Sequence, residues 1–115
     1  MFRQLSGAEL CHFRKGEIII KAGEAVEYIY YLMKGSVYRK IIARNGGETI
    51  VTVKKADGSL EALVGVVVLY RKERLSNSDF IAKTDCTCYK IPAESYLAMA
   101  NQNPEILLAT IDLLM

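Results

Sequence analysis

Over the first two thirds of the chain the apolar residues come in short runs broken by turn residues, rather than at helical spacing. Residues 18–20 are three isoleucines, followed by Lys21-Ala22-Gly23-Glu24, and residues 28–33 run as Tyr-Ile-Tyr-Tyr-Leu-Met into Lys34-Gly35. Both predict strands entering tight turns. Segments 36–43 and 48–53 flank Arg44-Asn45-Gly46-Gly47, and Asn-Gly supplies the residues that accept the positive φ of a hairpin turn. In the second arm Thr49, Val51 and Val53 alternate with Ile50 and Thr52, so one face can be wholly buried and the other partly so. The polar stretch 54–59 contains Asp57-Gly58, a second turn. Residues 60–70 are ambiguous: Val66-Val67-Val68 favours a strand, whereas Leu60, Ala62, Leu63 and Leu69 also suit a short helix. Strands are predicted again at 80–83 and 86–91, up to Pro92. Proline disfavours helix in the residue before it and is well placed at a helix start. A helix is therefore predicted over 94–100, with Tyr96, Leu97 and Ala100 on one side. Asn101-Gln102-Asn103 breaks it, and Pro104-Glu105 opens a second helix to the end of the sequence.

Many short strands followed by two helices predict a mainly β fold: a sandwich, jelly roll or barrel with helical extensions. The last helix is apolar nearly all round, with Ile106, Leu107, Leu108, Ala109, Ile111, Leu113, Leu114 and Met115 covering more than one face. Such a helix is buried on several sides. In a chain this small the second cover is expected to be another subunit, in a two-fold dimer. The helix stops on Leu-Leu-Met without a cap, which suggests a natural protein that continues.

With 115 residues there is room for one domain and one core, but not for a sensor plus a separate effector unit. A composition of 51% hydrophobic and 24% charged residues with two prolines excludes disorder and collagen-like repeats. A net charge of +2 is too small to imply a nucleic-acid or membrane surface. The longest apolar run, 63–70, is far short of the roughly 20 residues that span a bilayer, and the first residues lack the apolar centre of a signal peptide. A cytoplasmic protein without membrane contact is expected, its three cysteines reduced.

Cys86-Thr87-Cys88 puts two thiols on one face of a strand, with Cys11-His12 as candidate further ligands. Metal sites more often use longer gaps in loops, so core or half-buried cysteines are the preferred reading and no metal is expected. His12 is the single histidine, too few for a metal-dependent cupin on a similar fold, and no nucleophile motif surrounds it. No catalytic residue is identified, and an enzyme is not expected. Tyr28, Tyr30, Tyr31 and Tyr38 suit a β-surface, with no basic groove to support base stacking.

Four stretches have a further meaning: 16–24, 28–37 (Tyr-Ile-Tyr-Tyr-Leu-Met-Lys-Gly-Ser-Val), 82–86 (Ala-Lys-Thr-Asp-Cys) and 103–107 (Asn-Pro-Glu-Ile-Leu). Their order and spacing resemble the sensor domain of the CRP/FNR family of bacterial transcription regulators, the cyclic-nucleotide-binding β-roll. The most specific is the second, a strand ending in a Lys-Gly-Ser-Val turn with glycine at the sharp bend. The resemblance implies a double-stranded, jelly-roll-like β-roll with a short N-terminal helical segment and two C-terminal helices. It makes 1–115 a single sensor domain, with 1–103 the roll and its flanking helices and 104–115 the start of a dimerisation helix. The dimer residues would be Ile106, Leu107, Leu108, Ile111, Leu114 and Met115. In the family this helix leads to a winged helix-turn-helix. No DNA-reading element is identified in this sequence, so DNA would be contacted only through segments outside it.

The resemblance also implies a phosphate cassette, in which a glutamate of a Gly-Glu pair accepts from the ribose hydroxyl and an arginine about ten residues later pairs with the cyclic phosphate. Counting back from Ala82-Lys83-Thr84 places the arginine position near Ser76-Asn77. The glutamate position falls at Val66 if Gly65 is the pair glycine, or near Leu63 in the Gly58 register. None of these residues is charged. Loss of an arginine–phosphate pair forfeits about 1.5–3 kcal/mol, so a cyclic nucleotide is disfavoured and no cofactor is expected. The degenerate cassette comprises Gly65, Val66, Arg71, Arg74, Ser76, Asn77 and Ser78. Arg71, Lys72 and Arg74 are read first as a solvated basic loop and second as reaching an anion. Val64, Val66, Val67, Val68 and Leu69 are read first as core and second as the wall of a pocket for an apolar effector. Two functions remain: an effector-sensing, dimerising module with an unknown small-molecule effector, or a ligand-free interaction module on the same fold.

Overall fold

The computed structural model describes residues 4–42 and 45–114. Eight strands are named in chain order: β1 (Glu9–Phe13), β2 (Ile18–Ile20), β3 (Tyr28–Lys34), β4 (Ser36–Ile42), β5 (Glu48–Lys55), β6 (Leu63–Val64), β7 (Asp79–Ala82) and β8 (Cys86–Pro92). Helices α1 (Ala93–Gln102) and α2 (Pro104–Leu114) follow. The strands form two antiparallel four-stranded sheets, ordered β1-β8-β3-β6 and β2-β7-β4-β5. One core joins them, with Ile29, Leu32, Cys88 and Ile91 from the first sheet and Ile20, Val37, Phe80 and Ala82 from the second. The mainly β roll with two C-terminal helices is thus as the sequence indicated. Of the short N-terminal helical segment, the described residues hold one turn, closed by the Ala8 amide donating to the Leu5 carbonyl at 3.0 Å.

The chain changes sheets where the Lys-Gly-Ser-Val turn was read. Gly35 sits between β3 and β4 at φ 93°, and a Cβ there would collide with the backbone oxygen of Asp85. Another sheet change, between β7 and β8, lies against it: the Lys83 amide donates to the Ser36 carbonyl at 2.9 Å, and the Ser36 amide to Thr84 Oγ1 at 3.0 Å. Only glycine allows the two corners this approach.

The predicted hairpin is present, β4 pairing β5 from Ser36 opposite Lys55 to Ile42 opposite Glu48. Asn45 Oδ1 accepts from the Gly47 amide at 2.9 Å, while Ala43 and Arg44 lie outside the described residues. A register shift between Arg39 and Lys40 sets Arg39 opposite Thr52 and Lys40 opposite Ile50. β5 runs on to Lys55, past the predicted end at 53. The ambiguous stretch 60–70 resolves into both kinds of structure: a 3₁₀ turn at Leu60–Ala62, the two-residue β6, and a second 3₁₀ turn at Val67–Tyr70. Ser59 starts the first by accepting from the Glu61 amide at 3.2 Å.

Helix α1 buries Ala93, Tyr96 and Ala100. It is locked to α2 by a buried hydrogen bond between the Tyr96 hydroxyl and Thr110 Oγ1, at 2.5 Å, and Thr110 Oγ1 donates on to the Ile106 carbonyl at 2.8 Å. On α2, Ile106 is buried and Leu107 half-buried, whereas Leu108 and Ile111 are 63% and 42% exposed. The side chains of Leu114 and Met115, the other predicted dimer residues, fall outside the described residues. No described helix is long and apolar enough to cross a membrane.

Candidate functional site

Strand alternation puts Val37 and Arg39 on the same face of β4. Their partners on β7 are Ala82 and Phe80, both buried, so this face looks into the roll. Val37 also pairs with Lys54 of β5, which brings Lys54 to the same face. Between these side chains and the segment after β6 lies a cavity of about 70 Å³, lined by Arg39, Lys54, Gly65, Val66, Arg71 and Asn77 with Leu63, Val67, Val68 and Phe80. Gly65, at φ 95°, packs so closely that a Cβ would stand 2.7 Å from Ile20 Cδ1.

Four residues of the predicted cassette therefore meet here: Gly65, Val66, Arg71 and Asn77. Ser76 and Ser78 are buried behind them and fix the segment, Ser76 Oγ donating to the Ser78 carbonyl at 2.6 Å and Ser78 Oγ to Asn77 Oδ1 at 2.8 Å. Arg74 stands apart. The backbone takes positive φ at Glu73 (59°) and Arg74 (54°), and the Arg74 guanidinium pairs with Glu94 Oε1 on α1 at 2.8 Å. Within the basic run, Arg71 thus lines the cavity and Arg74 ties the segment to α1. Val64, Val66, Val68 and Leu69 are buried core, and of these only Val66 and Val68 also line the cavity; Val67 lines it too but is 43% exposed and is not core.

Two functional candidates were missed in the sequence: Arg39 and Lys54. Arg39 Nε donates to Ser78 Oγ at 2.7 Å and Nη2 to Asn77 Oδ1 at 3.3 Å, so its guanidinium lies against the cassette segment from the opposite wall. Lys54 Nζ donates to the Glu61 carbonyl at 3.1 Å. Burial pushes the Lys54 ammonium below its usual range, offset in part by Glu61 and Asp57 and reinforced by Arg39.

The cysteines form a separate cluster. Cys86 and Cys88 are both buried on one face of β8, as alternation requires, and Cys11 stands opposite Cys88 across the β1/β8 ladder. Burial raises the Cys11 thiol and, with Cys11 and Cys86 adding, pushes Cys88 up to about 12. Such thiols stay protonated at neutral pH and make poor nucleophiles and ligands. His12 Nδ1 lies 3.2 Å from Thr87 Oγ1, and no group of three or more metal-ligating side chains comes together among the described residues.

The sequence matches the cyclic nucleotide-binding domain family over residues 10–103. The chain belongs to that family. Within this cyclic nucleotide-binding domain, the CRP/FNR resemblance read from four short stretches extends to 102 aligned residues. Over these the chain is 30% identical to the cAMP-activated global transcriptional regulator CRP of Pasteurella multocida, covering 85% of this chain and 46% of that protein. The chain thus spans about half the length of this curated relative. A transcriptional regulator of Thermotoga maritima superposes with a TM-score of 0.79 at 20% identity, over 97% of this chain and 84% of that one. The sensor domain of the transcriptional regulator DNR from Pseudomonas aeruginosa gives 0.78 at 19%, over 95% and 70%. The catabolite activator protein of Thermus thermophilus gives 0.75 at 20%, over 93% and 47%.

Proposed function

We propose that this domain is the effector-sensing and dimerising part of a CRP/FNR-type transcription regulator, acting in the cytoplasm, whose effector is not tightly held cAMP. It has no enzymatic role in this reading. The observation that carries it is the cavity itself: Gly65, Val66 and Asn77 line one wall, and by the family's spacing the phosphate partner would fall near Ser76-Asn77 and the ribose acceptor at Val66 or near Leu63, none of them charged. An aliphatic side chain accepts no hydroxyl, and a buried serine does not neutralise a phosphate.

The output would be mechanical. The cassette segment reaches α1 through the Arg74–Glu94 ion pair, and α1 reaches α2 through Tyr96 and Thr110. An effector that binds one arrangement of these helices better than another shifts their populations by its difference in affinity. The exposed apolar Leu108 and Ile111 would pack against a second subunit, together with Ile106, Leu107, Leu114 and Met115 of the same helix. DNA would be contacted through segments outside these 115 residues.

The cavity's size favours a second reading, a ligand-free interaction module, because about 70 Å³ is well below the roughly 300–1,000 Å³ of an ordinary small-molecule site. Thermal shift against a panel of nucleotides, small carboxylic acids and inorganic anions separates the two. Saturable stabilisation by a member of the panel supports sensing. Silence across it favours the interaction module.

A further inference from the structure

We propose that the cavity is an oxyanion site in which Arg39 and Lys54, delivered by the β4–β5 hairpin, take the place of the cassette's missing charges, so that the effector carries a small carboxylate or phosphate group. This rests on the sensing role proposed above and names the class of ligand.

Three independent features lead there. The cavity is lined by three cationic side chains, Arg39, Lys54 and Arg71, and by no carboxylate. The described ion pairs are Lys40–Glu48 and Arg74–Glu94, so none of these three cations is neutralised within the described residues. Arg39 and Lys54 are half-buried beside a buried valine and phenylalanine, where leaving a charge unpaired carries part of a desolvation cost, while Arg71 is exposed at the rim.

Arg39, moreover, is held in place yet unsaturated. A guanidinium has five N–H donors, and Arg39 donates one hydrogen bond from Nε and one from Nη2, both to neutral oxygens. Ser78 and Asn77, which accept them, are themselves fixed by the Ser76–Ser78–Asn77 network. The fork is thus preorganised against the segment where the family places its own arginine, with N–H groups left for a ligand. Lys54 is anchored by one backbone carbonyl, and an ammonium has three donors. Burial disfavours its charged form, a penalty that a bound anion would relieve. The carboxylates that act on it, Glu61 and Asp57, line an adjoining groove with Lys55 and Leu113 that Lys54 shares with the cavity, and neither lines the cavity itself.

Size then limits the ligand. About 70 Å³ accommodates a headgroup of a few heavy atoms but not a nucleoside. The anionic end of the effector would enter between Arg39 and Lys54, bidentate on the guanidinium, whose geometry matches carboxylate and phosphate oxygens alike.

Inorganic phosphate and acetate, each titrated against chloride at constant ionic strength, are the probes, read by the thermal midpoint of the 115-residue domain. The expected result is a saturable rise with phosphate or acetate and none with chloride, the better of the two assigning the headgroup. Arg39→Gln should weaken the apparent affinity at least tenfold, Lys54→Gln should weaken it less, and Lys72→Gln, outside the cavity, should leave it unchanged. Arg39→Lys serves if Arg39→Gln does not fold, since it keeps the charge and loses the fork, and should bind more weakly than wild type. An equal response to chloride, or the same affinity in wild type and the Arg39 variants, overturns the proposal. If an effector from the wider panel stabilises wild type and the Arg39→Gln and Lys54→Gln variants alike, the oxyanion site falls and the sensing role stands. If nothing stabilises wild type, both fall.

Discussion

Removing the Tyr96 hydroxyl is expected to loosen the joint through which α1 would pass a signal to α2. Tyr96 and Thr110 are 0% and 1% exposed, so water does not replace a lost partner. The hydroxyl lies 2.5 Å from Thr110 Oγ1, which donates on to the Ile106 carbonyl at 2.8 Å, a chain in which each bond polarises the next. A neutral hydrogen bond contributes about 0.5–1.5 kcal/mol net. Tyr96→Phe, which keeps the ring packing, should therefore cost about 1 kcal/mol. Thr110→Val removes both Oγ1 bonds and leaves the phenol without that partner, and should cost about 1–3 kcal/mol. In a domain near this size, 1 kcal/mol lowers Tm by roughly 4–8 °C. Circular dichroism melts of the two single variants and the double variant give the coupling directly, and the double variant should lose less than the sum. Purely additive losses, or an unchanged Tm in Tyr96→Phe, would refute the coupling of the two helices through this bond.

Gly35→Ala should lower stability by at least about 2 kcal/mol, from the positive φ and the collision with the Asp85 backbone, read as a fall in the urea midpoint; an unchanged midpoint would show that the sheet corners are not in contact. Stability should also fall on the alkaline side. Burial pushes Cys88 from 9.0 and Tyr30 from 10.0 up to about 12 in the fold. The unfolded chain therefore loses these protons first, and their contribution, complete below about pH 9, is lost as pH rises toward 12. Lys54, shifted down, works in the opposite sense near its ordinary 10.5. Urea midpoints across this range should fall, less steeply in Cys88→Ala, and a flat profile would contradict the burial argument. Leu108→Lys and Ile111→Lys, on the exposed face of α2, should shift the domain toward monomer in analytical ultracentrifugation with little change in monomer stability; an unaltered association constant would place the dimer interface elsewhere.

Turn chemistry made most of the roll legible in the sequence. Lys34-Gly35 and Asn45-Gly46 mark a sheet corner and a hairpin by backbone requirements that few other residues meet. Gly65, Val66 and Asn77, named from the spacing before Ala82-Lys83-Thr84, line one cavity in the fold. What escaped depends on register. β1 is a largely exposed edge strand, Glu9–Phe13, with no clear alternation to betray it. Arg39 shares a face with Val37, but an arginine in a hairpin strand reads as solvent-facing until pairing with Phe80 of β7 turns it inward. Lys54 reads as the start of a polar turn because β5 is carried on to Lys55 only by pairing with Val37 and Ser36 of β4, contacts made across the hairpin. Arg71 and Arg74 were one basic loop in sequence, and the positive φ values at Glu73 and Arg74 send them to different partners.

Calorimetric titration of the domain with cAMP tests the central claim most directly. If the cassette positions fall near Ser76-Asn77 and at Val66 or near Leu63, as proposed, the expected result is no saturable heat at micromolar cAMP in a cavity of about 70 Å³. Saturable micromolar binding would contradict the account, and would mean that the domain holds a cyclic nucleotide without the glutamate and arginine of the cassette.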